Sequence, residues 1–339
     1  MKVCVVGAGA MGGLVGVKLA LAGEEVTLVD IGAQLEAIRK NGLKLIGPDG
    51  REQVAKPAKA TSNMAEAGPQ DLVILALKTQ HIASVAKSMA PLFKSGTALV
   101  PVQNGLPWWY FHKHGGPYEG RRLEMCDPTG EIGSNIDPNR VIGCVVYPAG
   151  EVIAPGVIKH VEGDRFPVGE LDGKETDRVK RVSEVFTKAG LKAPILNNIR
   201  SEIWLKLWGN LSFNPISALT HATLVDLCQY PLTRELAAQM MTEAQVVANK
   251  LGIEFRVPLE KRIAGAEKVG KHKTSTLQDV EHGRGLELDA LIGAVIELGK
   301  LTQTPTPHIE AVYALTKLLD KTLGEEHGRL RIEKLAGAA

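Results

Sequence analysis

The feature that most restricts the fold of this chain is a glycine-rich turn that separates a short apolar run from a helical pattern close to its start. Residues 3–6 have the composition of a buried strand, and Gly7-Ala8-Gly9-Ala10-Met11-Gly12 follows directly. Residues 14–21 carry apolar side chains at helical spacing, and residues 26–29 predict a second strand that ends at Asp30. This order of strand, glycine turn, helix, strand and acid predicts a βαβ unit.

The same alternation of strands and helices continues through the first half of the chain. Further strands are predicted over 72–77, 97–102, 141–146 and 157–161, with helices over 81–92 and 176–189. After about residue 197 the pattern is helical, over 201–220, 232–251, 259–269, 286–301 and 309–323. The sequence therefore predicts an α/β, Rossmann-type, doubly wound dinucleotide-binding domain over 1–197, an all-α substrate and dimerisation domain over 198–325, and a frayed tail over 326–339.

Composition narrows the class of protein. The 339 residues are 44% hydrophobic and 23% charged, which is typical of a globular protein, and 40 basic against 38 acidic residues leave a net charge of +2. A chain this close to neutral is not expected to bind nucleic acid or anionic membranes broadly. Four separated cysteines without a CxxC pair, and the lack of a long apolar run, predict a cytoplasmic protein with buried thiols.

The glycine-rich turn has the spacing of a dinucleotide site. Gly7 would permit the tight turn, Gly9 would let a pyrophosphate approach the backbone, and Gly12 would let the helix and strand pack closely. The helix that starts there offers unpaired N–H groups and the positive end of its dipole to the phosphates. All six residues from Gly7 to Gly12 are therefore candidate cofactor contacts.

Asp30, at the predicted end of the second strand, indicates which dinucleotide binds. Its carboxylate can accept hydrogen bonds from the adenosine ribose hydroxyls, and it would repel the 2′-phosphate of NADP. Ile31 and Gly32 follow, without an arginine for that phosphate, so NAD is favoured over NADP, although Arg39 could be repositioned towards it. An alternative role for Asp30 is the N-cap of a helix over 34–40, which is compatible with binding.

A second candidate site lies in the apolar helical pattern over 201–215. Apolar side chains surround most of this helix, so it is expected to be buried, yet Lys206, Asn210 and Asn214 recur at every fourth position. Each step of four drifts only about 40° around a helix axis, so the three share one stripe. Buried, they must pair with each other or face a polar ligand, and a buried lysine suits a proton donor. The alternative is an exposed lysine with two capping or interdomain asparagines, and Pro215 is expected to kink or end the helix near Asn214.

Several motifs together resemble those of ketopantoate reductases, the 2-dehydropantoate 2-reductases, over nearly the whole chain. The motifs are Gly7-Ala8-Gly9-Ala10-Met11-Gly12, Leu77-Lys78-Thr79-Gln80, Gln103-Asn104-Gly105, Lys206-x3-Asn210-x3-Asn214-Pro215 and Ser275-Thr276-Leu277-Gln278-Asp279, with Glu287 beyond. The resemblance implies an NAD(P)H-dependent reductase of pantothenate biosynthesis. Hydride would pass from the nicotinamide to the ketone carbon of a branched 2-oxo acid, with 2-dehydropantoate as the default substrate. We also expect a homodimer.

The resemblance implies substrate roles for matching residues. Lys206 would protonate the emerging alkoxide and stabilise its charge in the transition state. Asn210 and Asn214 would hold the substrate's oxygens, and Ser275 would hold its carboxylate. An alternative role for Ser275 is the N-cap of a helix that begins near residue 278.

The resemblance also implies cofactor contacts. Lys78 and the backbone around Ala149 would touch the cofactor, and Asn104 would lie between the nicotinamide and the substrate. Glu287 would contact the cofactor ribose or orient Lys206, which makes it a second catalytic candidate. Alternatively, Lys78 is an exposed lysine at a helix start, Asn104 is a tight-turn residue, and Glu287 is a surface carboxylate.

Two departures from the family's pattern concern the substrate. An insertion over 107–137 follows Gln103-Asn104-Gly105, and it carries five aromatic residues: Trp108, Trp109, Tyr110, Phe111 and Tyr118. It is interpreted either as a lid or pocket wall, or as a clamp at a dimer or domain interface. Leu224 stands where the family has a further substrate-binding asparagine. A bulkier 2-oxo acid is therefore an alternative substrate, and a non-catalytic dinucleotide sensor is an alternative function.

Two weaker patterns complete the sequence analysis. His112, His114 and Cys126 lack the ligand spacing of known metal sites, so no metal site is predicted. A basic run predicts a solvated helix face that could steer an anionic substrate towards Ser275. Its members are Lys261, Arg262, Lys268, Lys271, His272 and Lys273.

Overall fold

The computed structural model describes residues 1–333, which form two compact units. The first unit contains residues 1–123 and 127–200, and the second contains residues 124–126 and the chain from 201 onward. The division at 200/201 falls inside a helix, Ile199–Thr220, close to the boundary predicted at 197/198. Across residues 1–333, none of the helices has the length and apolar character needed to span a bilayer.

The strands all belong to the first unit. They are β1 (Lys2–Val6), β2 (Glu25–Val29), β3 (Leu43–Ile46), β4 (Glu52–Ala55), β5 (Lys59–Thr61), β6 (Leu72–Leu75), β7 (Ala98–Pro101), β8 (Gly143–Cys144), β9 (Ala149–Ala154), β10 (Val157–Glu162) and β11 (Val168–Gly169). The helices of this unit are α1 (Ala10–Leu21), α2 (Gly32–Asn41), α3 (Met64–Ala67), α4 (Ile82–Ala86), α5 (Glu131–Asn135) and α6 (Asp177–Lys188).

A five-stranded parallel sheet, in the order β5-β2-β1-β6-β7, forms the centre of the first unit. Its central strands are apolar on both faces: the successive residues Val3, Cys4 and Val5 of β1 are each fully buried, as expected for a parallel sheet covered on both sides. The chain runs from β1 to β2 on one side and later to β6 on the other. The strand order therefore reverses between β1 and β6, and ligands bind at the carboxyl ends of strands at such a switch point. This confirms the predicted Rossmann-type architecture.

Several details of the first unit differ from the sequence predictions. A second sheet, β4-β3-β10-β9, includes three strands that the sequence did not predict: β4 and β9 are largely exposed, and β3 is only four residues long. The strand predicted over 141–146 is reduced to Gly143–Cys144, with an isolated parallel bridge between Val141 and Leu99. The helix predicted over 81–92 is α-helical only in α4 and 3₁₀-helical on either side, with Pro91 inside the second 3₁₀ segment. Proline removes a donor from the α-helical ladder, which favours the tighter turn here.

The second unit is helical, as predicted. Its helices are α7 (Ile199–Thr220), α8 (Leu224–Gln229), α9 (Pro231–Lys250), α10 (Leu259–Lys268), α11 (Ser275–His282), α12 (Ala294–Leu301) and α13 (Pro307–Glu325), with a π-helical turn, Asp289–Gly293, before α12. Helix α7 lies in the core: Trp204 and Trp208 are fully buried. The Trp208 indole N–H donates to the carbonyl of Met241 in α9 at 2.6 Å.

One of the two alternatives for Pro215, that the helix ends near Asn214, was wrong. Helix α7 does not end near Asn214 but continues through Pro215 to Thr220. The residues around the proline, Phe213 and Ile216, are buried, so packing on the core offsets the hydrogen bond that proline cannot make. The frayed tail over 326–339 stays a prediction; in its described part, Arg331 Nε donates to the carbonyl of Glu281 at 2.8 Å. Residues 334–339 lie outside the described residues.

Candidate active site

The glycine-rich turn follows β1 at the switch point of the sheet. Gly7 has φ of 94°, a left-handed conformation, and its N–H donates to the carbonyl of Val29 at 2.9 Å. A Cβ on Gly12 would overlap the Gly7 carbonyl oxygen and stand 2.7 Å from the Cβ of Ala76. By contrast, nothing lies within 4 Å of a Cβ built on Gly9, which precedes α1. Gly7 is thus required by its backbone conformation and Gly12 by close packing. Gly9 leaves open space at the helix N-terminus, as a pyrophosphate requires.

Asp30 and Gln34 hold the glycine-rich turn through the backbone N–H and carbonyl of one residue, Ala8. The Ala8 N–H donates to Oδ2 of Asp30 at 2.6 Å, and the Gln34 side-chain amide donates to the Ala8 carbonyl at 2.6 Å. The oxygen of the same amide accepts from the N–H of Gly156, at 2.8 Å, in the β9–β10 turn. Asp30 is not the N-cap of α2: that residue is Ile31, and its N–H donates to Oδ1 of Asp30. The carboxylate therefore stands at the turn, where a ribose would be held.

The other predicted cofactor contacts follow strand ends or border the turn in the first unit. Lys78 lies three residues after β6 and Asn104 three residues after β7, both half-buried. Gln103, beside Asn104, donates from its side chain to the Leu77 carbonyl at 3.1 Å, which joins the two loops. Ala149 begins β9, and a Cβ on the next residue would stand 3.1 Å from Cε of Met11. These residues thus gather around the same edge of the sheet.

Lys206, Asn210 and Asn214 occupy one stripe of α7 in the second unit. The helix is continuous across all three, so the stripe extends about 12 Å along its axis. Lys206 and Asn210 are half-buried, and Asn214 is 7% exposed. The amide of Asn214 donates to the hydroxyl of Ser275 at 3.3 Å, which brings together two residues 61 positions apart.

Ser275 is the first residue of α11 and not its N-cap. The cap is Thr274, whose hydroxyl accepts from the N–H of Leu277 at 3.2 Å. The helix also begins three residues earlier than the capping alternative assumed. The Ser275 hydroxyl is therefore not used for capping, and it faces the amide of Asn214.

Glu287 lies just before the π-helical turn and is half-buried. The turn is anchored by Asp289, which accepts from the Tyr313 hydroxyl at 2.6 Å and from Lys317 at 3.1 Å. Burial and the neighbouring Asp289 carboxylate raise the pKa of the Tyr313 phenol, so the hydroxyl keeps its proton and remains a donor. Insertions of this kind in helices are frequent at functional sites, and here one follows the predicted acid by two residues.

Comparisons with known proteins agree with this arrangement. Two sequence profiles match the chain: one described as ketopantoate reductase PanE/ApbA over residues 3–114, and its C-terminal counterpart over 198–320. A 2-dehydropantoate 2-reductase from Mesorhizobium japonicum is 53% identical over 94% of this chain and 98% of its own length. This chain belongs to the ketopantoate reductase family.

Solved structures of the family have the same fold. A candidate ketopantoate reductase from Ralstonia solanacearum MolK2 is 38% identical, with a TM-score of 0.91 over 95% of this chain and 98% of its own. The 2-dehydropantoate 2-reductase from Methylococcus capsulatus is 26% identical, with a TM-score of 0.80 over 95% and 98%. The two-part architecture described above is therefore that of the family.

The aromatic insertion, which departs from the usual ketopantoate reductase pattern, is built into the first unit. Trp108, Trp109, Tyr110 and Phe111 are at most 7% exposed, and the last two rings meet edge to face at 5.0 Å. Arg200, 8% exposed, donates to the carbonyls of Tyr110, Leu171 and His112 at 2.6 to 2.9 Å. Four of the five aromatic side chains thus contribute to the packing of the first unit, and the lid or pocket wall and the interface clamp both stay predictions.

Sequence reasoning missed three polar residues that the structure places at these sites. Gln34 supports the glycine-rich turn, and Arg200 binds three backbone carbonyls of the first unit. Arg262, assigned to a solvated basic face, is half-buried, and its guanidinium lies against Gly209 of α7. The position of Arg262 has one signal in the sequence: Gly209 lies in the middle of a predicted helix, where glycine is unfavourable.

Proposed function

We propose that this chain is a 2-dehydropantoate 2-reductase that reduces the 2-oxo acid to pantoate with a nicotinamide dinucleotide. The observation that carries the proposal is the unbroken polar stripe of α7, whose Asn214 donates to Ser275 at 3.3 Å. A non-catalytic dinucleotide sensor would need only the glycine-rich turn and has no use for this stripe. The 53% identity to a protein of the same name supports the proposal.

The glycine-rich turn would bind the pyrophosphate, and Asp30 would bind the adenosine ribose. When bound, the nicotinamide supplies a hydride to the ketone carbon. Lys206 would donate the proton that the emerging alkoxide requires, since an ammonium on a half-buried stripe both stabilises negative charge and transfers a proton. Lys78, Asn104, Ala149 and Glu287 are the further cofactor contacts that we propose.

We propose NADH as the preferred cofactor. The residue after Asp30 is Ile31, which is 73% exposed and offers no charge to a 2′-phosphate. Arg39, the nearest arginine on α2, is engaged elsewhere: it donates to the Ala60 carbonyl at 3.1 Å and to Glu36 at 3.1 Å. A 2′-phosphate would thus meet a carboxylate and an aliphatic side chain.

Lys206→Ala tests the catalytic assignment. We expect kcat with 2-dehydropantoate and NADH to fall by about 10²- to 10⁴-fold, the usual contribution of a positioned proton donor, with NADH affinity unchanged within about twofold. Lys40→Ala, which removes an exposed lysine of α2, is the control and should match the parent enzyme. Equal turnover in Lys206→Ala and the parent would exclude Lys206 as the donor.

A panel of 2-oxo acids, assayed with NADH and NADPH, tests the substrate and the cofactor together. We expect the highest kcat/KM for 2-dehydropantoate with NADH. A bulkier 2-oxo acid reduced more efficiently would replace the proposed substrate, and no turnover with any of them would favour the sensor. The homodimer stays a prediction, which sedimentation equilibrium would test.

A further inference from the structure

A short segment of the aromatic insertion belongs to the second unit rather than the first. This segment is residues 124–126, within the insertion over 107–137. It is bound by the carboxylate of Glu297 on α12. Oε1 accepts from the N–H of Glu124 at 2.9 Å, and Oε2 accepts from the N–H of Met125 at 2.8 Å. Because both oxygens take part in charge-assisted hydrogen bonds, this contact fixes the direction of the segment as well as its position.

The bound segment packs against the π-helical turn. Gly293 ends this turn, four residues before Glu297 and on the same face of the helix. A Cβ at Gly293 would stand 3.1 Å from Sδ of Met125 and 3.1 Å from the hydroxyl oxygen of Tyr313. Gly293 has an ordinary helical φ of −56°, so the close approach of these two side chains, and not the backbone conformation, favours a glycine here.

The π-helical turn is held at both of its ends. Its first residue, Asp289, accepts from the Tyr313 hydroxyl at 2.6 Å and from Lys317 at 3.1 Å, both on α13. Its last residue, Gly293, lies against Met125 of the insertion and against the same Tyr313 hydroxyl. Two segments far apart in the sequence, α13 and residues 124–126, thus support one turn.

The conformation of this turn determines the direction of Glu287. The N–H of Ala294 donates to the carbonyl of Asp289, five residues back, whereas an α-helix would use the carbonyl four residues back. The turn therefore contains one residue more than an α-helical turn. If it relaxed to an α-helix, the residues before it would rotate by about 100° around the axis relative to α12. Glu287 lies two residues before the turn, so it would rotate with them.

We propose that Glu297 is a positioning residue for the reductase reaction, an assignment that rests on the proposed function. By binding the N–H groups of residues 124 and 125, Glu297 holds Met125 against Gly293 and keeps the turn π-helical. Glu287 then keeps the direction that its proposed contact with the cofactor requires. Through this segment the aromatic insertion acts on the reaction without touching the substrate.

Glu297→Ala tests the assignment, because it removes both acceptors. We expect kcat with 2-dehydropantoate and NADH to fall by about 10- to 100-fold, since a displacement of about 1 Å at a reacting site has an effect of this size. KM for 2-dehydropantoate should stay within about threefold, because the stripe of α7 and Ser275 are unaltered. Glu254→Ala, which removes an exposed acid of the same unit, is the control and should match the parent enzyme. An unchanged kcat in Glu297→Ala would overturn the assignment.

A double-mutant cycle with Glu287 supplies a readout that a merely structural role would not change. Glu287→Gln alone should lower kcat. Adding Glu297→Ala to it should lower kcat by less than about threefold further, because the group that Glu297 positions is already altered. Two effects that multiply independently would show that Glu297 does not act through Glu287 and would overturn the assignment, as would a parent-like kcat in Glu287→Gln.

Met125→Ala is the second variant, in case Glu297→Ala does not fold. Met125 is 37% exposed, so the protein should tolerate its truncation. We expect kcat to fall by at least about threefold, because the end of the π-helical turn loses its contact with the insertion; a parent-like kcat would contradict the proposal.

The two levels of inference fail differently. A parent enzyme without 2-oxo acid reductase activity refutes the proposed function. An active parent whose Glu297→Ala and Met125→Ala variants are equally active refutes only the role of Glu297.

Discussion

Replacing Gly9 with alanine should separate cofactor binding from folding. A Cβ at Gly9 meets no atom within 4 Å, and its φ of −70° is open to alanine. At such positions Gly→Ala stabilises a protein by about 0.4–1 kcal/mol, because the unfolded chain loses conformational freedom. For a unit of about 200 residues, 1 kcal/mol corresponds to about 2–4 °C, so the Tm should stay constant or rise by up to about 4 °C.

The same methyl group would occupy the space through which a pyrophosphate reaches the backbone N–H groups of α1. A charge-assisted hydrogen bond contributes about 1.5–3 kcal/mol, so the loss of one should raise the Kd of NADH by about 10- to 150-fold. Titration of tryptophan fluorescence with NADH measures the Kd, and thermal unfolding without cofactor measures the Tm. An unchanged Kd in Gly9→Ala would refute the placement of the pyrophosphate at this turn.

Gly12→Ala is the matched control for the Gly9 variant. Its Cβ would overlap the Gly7 carbonyl oxygen and stand 2.7 Å from the Cβ of Ala76, so the backbone must move. Overpacking of this kind costs about 1–3 kcal/mol, which predicts a fall in Tm of about 2–12 °C. A Gly12→Ala protein as stable as the parent would show that the close approach of α1 to β1 tolerates a side chain.

Three further predictions concern the first unit. Asp30→Ala combined with Ile31→Arg should shift the ratio of kcat/KM values towards NADPH; an unchanged ratio would contradict the role of Asp30. Gln34→Ala should weaken NADH binding several-fold at constant kcat, because the Ala8 carbonyl loses its donor, and an isothermal titration would detect this. Trp109→Ala should lower the free energy of unfolding by about 3–5 kcal/mol, measured by urea denaturation, since the ring is 3% exposed. A stable Trp109→Ala protein with an altered substrate range would favour the lid.

The sequence predicted the fold well where local periodicity carries the information. The βαβ start and five helical segments of the second unit follow from apolar spacing and glycine positions, and the structure has them within a few residues; the short helices α8 and α11 were not predicted. The alternative in which α7 ends near Pro215 failed, because core packing on both sides of the proline kept the helix continuous. The prediction also failed for β4 and β9, whose largely exposed side chains give no clear alternation, and for β3, which is only four residues long. In each case contacts distant in sequence outweighed the local pattern.

The residues of the candidate site also fall into those that the sequence determined and those that only the tertiary structure placed. The sequence by itself determined the glycine-rich turn, the acid after β2 and the stripe of α7, because each is a spacing that one strand or helix converts directly into geometry. Only the tertiary structure decided that Ser275 meets Asn214, that Gln34 supports the Ala8 carbonyl, and that Arg262 lies against Gly209. These are contacts between elements far apart in the chain, and their partners are chosen by how the helices and strands pack rather than by any local repeat.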